Sequence, residues 1–191
     1  MQLTGGGSAN SGTVYKLSRS GNGWVATVLH SFVGGDDGSW PEAGLVFDAA
    51  GNLYGTTSLG GGSSLCQFGC GTVFQLAPTS GGGWTTSVIH AFGVVDGAYP
   101  YDSLVIDNAG NLYGTTMWGG ASVYGTAFKL MPSTGGNWRE SVLHNFTGGR
   151  DGGNPEDSVM LDATGNIYGC AAHGGNSKGP TGMGLVFEIV P

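Results

Sequence analysis

The side chains best suited to chemistry sit between the apolar runs of this sequence. An Asp-Gly-x-x-Pro motif begins at Asp37, at Asp96 and at Asp151. Its return in each copy argues first for a structural turn, the carboxylate accepting from backbone N–H groups nearby. The functional alternative makes these three, with Glu156, ligands of a calcium ion, which gathers about six to eight oxygens from carboxylates, carbonyls and water. Departures from the pattern are more telling. Asp102 and Asp157 stand where the first copy has Ala43, Glu42 and Glu156 match Tyr101, and His173 replaces Leu59 and Trp118. A histidine held by a carboxylate suits general-base work on a water; the plainer reading is polar decoration of a loop rim. Trp40, Tyr99, Tyr101 and Trp118 lie in the same stretches and suit stacking on sugar rings or other ligand faces, or simple surface packing.

Other reactive types have structural readings. His30, His90 and His144 recur inside apolar runs, so hydrogen bonding within the scaffold is the simpler role for them. Cys66 and Cys70 can close a small disulfide, leaving Cys170 unpaired; a Cys₃His zinc set with His173 would draw its ligands from distant copies. No nucleophile elbow, phosphate-binding loop or dinucleotide fingerprint occurs.

A repeat positions these residues. Gly-Thr-Val-Tyr-Lys-Leu at 12–17 returns at 71–76 and 125–130, and in part at 184–189, copies lying 54 to 60 residues apart. Trp-x-x-x-Val-(Leu/Ile)-His-x-Phe begins at Trp24, Trp84 and Trp138. A third block, Leu-Val-Phe-Asp-Ala-Ala-Gly-Asn-Leu-Tyr-Gly at 45–55, recurs at 104–114 and 159–169. β-branched and aromatic residues between glycine-rich breaks predict strands, and no segment carries a helical apolar period. The strands are expected at 45–48 (A), 52–56 (B), 71–76 (C) and 84–92 (D), with equivalents later. Asp-Ala-Ala-Gly-Asn reads as the A–B hairpin turn.

The expected fold is all-β: one repeat domain over 1–191, with units at 43–92 and 103–146 and partial units at 12–32 and 157–190. A four-stranded meander cannot cover both its faces, so the copies must stack. A β-propeller of about three such repeats is expected, with a parallel β-helix as the competitor. The chain opens on C and D and closes on A, B and C. That predicts a homodimer forming a six-bladed ring, strands of one chain completing a blade of the other. Short A–B and C–D turns share one side; the variable B–C and D–A loops, holding Tyr124, Arg150, Lys178 and the candidates above, share the other.

Six Lys and Arg against thirteen Asp and Glu give a formal charge of −7, which disfavours nucleic acid and anionic membrane surfaces. No stretch reaches the ~20 apolar residues of a membrane helix. Residues 1–7 hold neither a charged nor an apolar leader segment, so no signal peptide is expected there. Scarce charge and a short-loop disulfide point to an extracytoplasmic protein.

These blocks resemble the GloVer (Gloeo_Verruco) tandem-repeat family of bacterial, mostly exported repeat proteins. Its units run Gly-Thr-Val-Phe-Lys-Leu, then Trp-x-x-x-Val-Leu-(His/Tyr)-x-Phe, then Asp-Gly-x-x-Pro, then Leu-x-x-Asp-x-x-Gly-Asn-Leu-Tyr-Gly-Thr-Thr, and the match spans Gly12 to Phe187. The resemblance implies an extracytoplasmic repeat array and transfers no catalytic residue. By fold analogy with propeller lactonases and esterases, the first functional expectation is a calcium-dependent hydrolase of small esters or lactones. His173, Asp102 and Asp157 would then be catalytic, with Asp37, Asp96, Asp151 and Glu156 on the metal. The alternative is a non-catalytic module binding a small-molecule or carbohydrate ligand through Trp40, Tyr99, Tyr101 and Trp118; a purely structural surface array is the third.

Overall fold

A computed structural model describes residues 6–175 and 182–191. Lys178 lies outside the described residues. Thirteen strands form four antiparallel sheets among them. The first sheet pairs β1 (Thr13–Ser20) with β2 (Gly23–Ser31). The second orders β3 (Val46–Phe47), β4 (Leu53–Thr57), β5 (Thr72–Pro78) and β6 (Trp84–Ala91). The third repeats that order in β7 (Val105–Ile106), β8 (Leu112–Thr116), β9 (Thr126–Pro132) and β10 (Trp138–Asn145). The fourth holds β11 (Met160–Leu161), β12 (Ile167–Ala171) and β13 (Leu185–Ile189). These are the expected A to D strands in the expected meander. Antiparallel pairing of every named strand removes the parallel β-helix. No α-helix occurs among the described residues; the helical content is two three-residue 3₁₀ turns, Gly35–Asp37 and Thr134–Gly136.

Local chemistry explains the hairpins. Asp48 Oδ1 accepts the Ala50 and Asn52 backbone N–H groups at 2.9 Å, and Oδ2 accepts Asn52 Nδ2 at 2.7 Å and the Tyr54 hydroxyl at 3.0 Å. Gly51, at φ 85°, supplies the left-handed residue that lets the chain reverse. Asp107 and Asp162 repeat this network. Burial pushes the Asp48 and Asp107 carboxyls up, but the hydrogen bonds from Asn52 and Asn111 and their neighbours hold both below the ordinary carboxylate range.

Packing between sheets follows from side-chain alternation. Leu53, Phe74 and Leu76 face back onto Val14 and Phe32 of the first unit. Tyr54 and Val73 face forward onto Leu112, Phe128 and Leu130. Tyr113 and Ala127 face forward onto Ile167 and Phe187. A phenylalanine after each D strand meets one in the next C strand: Phe32 on Phe74, Phe92 on Phe128 and Phe146 on Phe187, at 5.1, 5.1 and 5.0 Å between centroids. Like strands adjoin, β2 beside β6, β6 beside β10 and β3 beside β7.

The two ends leave opposite faces open. Leu17 is 52% exposed, whereas its repeat equivalents Leu76 and Leu130 are 0% exposed. Val186 is 74% exposed, whereas Val14 and Val73 are 2% and 0% exposed. Each terminal sheet holds its own C strand, β1 or β13. Merging the opening pair with the closing trio would therefore give five strands with two C strands, not one four-stranded unit.

Candidate functional site

Backbone bridges join Ser39 to Leu59, Ala98 to Trp118 and Gly153 to His173. They lay the D–A loop of each unit against its B–C loop, so the variable loops share one side. The residue before each motif proline anchors this junction. Trp40 N–H donates to Ser11 O in the preceding unit at 2.9 Å, and Trp40 O accepts from Ser58 N–H at 3.0 Å. Tyr99 is bonded likewise to Cys70 O and Met117 N, and Asn154 to Tyr124 O and Ala172 N. All three adopt the left-handed region, φ 59°, 59° and 50°, which non-glycine residues rarely occupy. These cross-unit bonds are what that backbone shape secures. The following proline presses on the preceding unit: a Cβ at Gly71 would lie 2.5 Å from Pro100 Cδ, so only glycine fits.

The motif aspartates already have partners. His30 Nε2 bonds both carboxylate oxygens of Asp37, at 3.0 and 3.1 Å, and Val33 N–H donates to Asp37 at 2.8 Å. Asp96 takes His90 at 3.1 Å and Gly93 N–H at 2.7 Å. Asp151 takes His144 at 3.0 Å, Thr147 N–H at 3.0 Å and the Thr147 hydroxyl. Each histidine packs edge-on against the phenylalanine two residues later. The aspartate therefore ties the end of a D strand to the following turn. Sequence reasoning gave the histidines a structural role and the aspartates a turn or metal-ligand role, and did not pair them. The signal was there: in all three copies they stand six or seven residues apart.

A second acidic group does converge. Burial first, then the neighbouring charge of Asp157 and that of Glu156, push the Asp102 carboxyl up to about 6, against a hydrogen bond from Thr115 at 3.5 Å. Burial, then Glu42, Tyr99 and Glu156, raise the Tyr101 hydroxyl. Glu42, Tyr101, Asp102, Glu156 and Asp157 thus share one rim. Glu42 belongs with the candidates and was left out of them. Its Oε2 is buried and has no hydrogen-bond partner among the described residues. Thr56 Oγ1 fixes the Asp102 backbone carbonyl at 3.2 Å, and Ser103 Oγ holds Gly44 N–H at 2.7 Å, locking neighbouring units together below the rim.

The remaining candidates are placed as follows. Trp40 and Trp118 are exposed on the loop side, whereas Tyr99 packs half-buried against the central core. His173 is exposed, and no hydrogen bond or ion pair among the described residues joins it to Asp102 or Asp157. No group of three or more His, Cys, Asp or Glu among the described residues is arranged to hold a metal ion. Cys66 and Cys70 form a disulfide and Cys170 is a free, exposed thiol. No helix is long and apolar enough to cross a membrane among the described residues.

Stacked antiparallel sheets built on one repeated meander, with interlocked loops, define an all-β tandem-repeat protein. Residues 63–191 match the Gloeobacter/Verrucomicrobia repeat, and the chain belongs to that family. No curated protein matches it in sequence.

Proposed function

We propose that the sheets are blades of a β-propeller and that the acidic rim on the variable-loop side binds a neutral polyhydroxylated ligand, a carbohydrate, without transforming it. One observation carries the reading: Glu42, Asp102, Glu156 and Asp157 gather around Tyr101 on one rim. Carboxylates are strong hydrogen-bond acceptors, and a sugar hydroxyl is a donor of the right kind. The acidic neighbours Asp102, Glu156 and Asp157 accept further hydroxyls, and Trp40 and Trp118 offer exposed rings on the same side for stacking. The chain's net charge of −7 favours neutral over anionic glycans. The Cys66–Cys70 disulfide supports an oxidising, extracytoplasmic setting. A panel of neutral oligosaccharides tests the reading by calorimetry. Saturable binding that Glu42→Gln weakens about tenfold and that releases no product supports it. Absence of binding across the panel rejects it.

A hydrolase of small esters or lactones is the second reading. It is favoured by the Asp102 carboxyl near 6, in the range a general acid needs close to neutral pH. Chromogenic ester turnover that Asp102→Asn leaves unchanged removes this reading.

The ring closes, in our reading, with a second copy packed head to tail. Like strands adjoin inside the chain, and the last sheet exposes the forward-facing surface that the first sheet's backward-facing surface would cover. Two such equal contacts close a two-fold ring.

A further inference from the structure

We propose that the groove where loops 32–45 and 58–71 meet is a binding site for one neutral pyranose ring, stacked on Phe68. Loop 58–71 joins β4 to β5 and is five residues longer than loop 117–125, its counterpart between β8 and β9. The added length is pinned at several points. Cys66 and Cys70 clip it by a disulfide, Gly60 N–H donates to Phe68 O at 2.8 Å, and Gly61 N–H donates to Gly35 O in the facing loop at 2.9 Å. Backbone packs on backbone there, and no room remains for a Cβ at Gly69 above the Gly60 carbonyl. The groove is therefore preformed, which lowers the ordering cost of binding. Its volume is about 500 Å³, inside the ~300–1,000 Å³ range of small-molecule pockets.

The lining selects the ligand. Five glycines with Ser39, Ser63 and Ser64 present peptide groups and hydroxyls, and no charged side chain among the described residues lines the groove. That chemistry suits a neutral polar molecule rather than an ion. Cys66 and Phe68 are the only apolar walls among the described residues, too few for a lipid chain. Phe68 is 75% exposed and sits in the left-handed region at φ 67°, which a bulky residue rarely occupies. A pinned turn thus holds an aromatic ring out in water, a cost that covering its face with a ligand would offset. A pyranose fits both features: an apolar C–H face for the ring and hydroxyls at its edge for the peptide groups and serines. The inference rests on the carbohydrate reading above only for its ligand class, since none of the rim carboxylates lines this groove.

The probes are methyl β-glucopyranoside and methyl β-galactopyranoside, titrated into the intact chain and followed by amide NMR shifts. Saturable shifts should appear at residues 60–69. Phe68→Ala should weaken this binding about tenfold, and Phe68→Trp should retain it, because stacking needs an aromatic face and not phenylalanine itself. Phe68 lies outside the core, so both variants keep the fold. Absence of shifts at 60–69 with both sugars, or binding there that Phe68→Ala leaves unaltered, would overturn the proposal. Shifts confined to Glu42, Tyr101 and Asp102 would put the sugar on the rim alone, which rejects this site and upholds the earlier reading. Shifts at 60–69 with none at the rim would do the reverse.

Discussion

Trp138 meets Tyr54 across the boundary between the second and third sheets, ring centroids 5.6 Å apart and planes inclined at 68°. The equivalents of these residues at the ends are Trp24, 66% exposed on the first sheet, and Tyr168 on the last. A head-to-tail neighbour would set Trp24 of one chain on Tyr168 of the other. Trp24→Ala and Tyr168→Ala should each fold normally and weaken the dimer by about 2 kcal/mol or more, roughly 30-fold in Kd. Light scattering across a concentration series measures this. A wild-type chain that stays monomeric throughout ends the idea of closure by a second copy.

Asp102 imposes a pH dependence of definite sign. The folded carboxyl keeps its proton up to about 6, against an ordinary value of 3.8. The folded protein therefore binds more protons between those values, and stability falls as pH rises through that window. Asp102→Asn removes the penalty. Discounted for solvent access, it should raise Tm at pH 7 by about 2–4 °C, corresponding to about 1 kcal/mol. The difference should vanish below pH 4. Calorimetric melts from pH 4 to pH 8 compare the two proteins.

The hairpin aspartates act in the opposite sense. Asp107 accepts from Ala109 N, Asn111 N, Asn111 Nδ2 and the Tyr113 hydroxyl. Its carboxyl is held below the ordinary range, so its contribution is present above pH 4 and is lost as pH falls. Asp107→Ala should cost about 1–3 kcal/mol at pH 7, because several donors lose their acceptor at once. Urea midpoints at pH 7 and pH 3 should show the cost shrinking in acid.

The His90–Asp96 pair separates a structural carboxylate from a metal ligand. Asp96→Asn should lower stability by about 1–2 kcal/mol, the same in EDTA as in calcium, because the turn N–H of Gly93 and the imidazole of His90 lose a charged acceptor. If the wild-type melting temperature rises with calcium and the variant loses only that rise, Asp96 is a metal ligand after all.

Strand positions, hairpin turns and the order of blocks were legible along the chain because each depends on near neighbours. Asp48 is fixed by Ala50, Asn52 and Tyr54, all within six residues. Antiparallel strands joined by short turns likewise carry their register in their own spacing. The loop side was legible for the same reason, since strand direction alternates. The bond between His90 and Asp96 was hidden because a turn outside the strand, six residues on, carries the carboxylate back to the imidazole.

Burial and electrostatic state were decided only in three dimensions. Leu17 and Leu76 occupy one repeat position, yet one is half open to water and the other fully covered. Asp102 and Asp157 share a repeat position as well, but Asp102 is partly buried while Asp157 is exposed. A repeat specifies which face each side chain takes within its sheet. Desolvation and the field of distant charges depend on which other sheet lies against that face, and only the stacking of the sheets determines that.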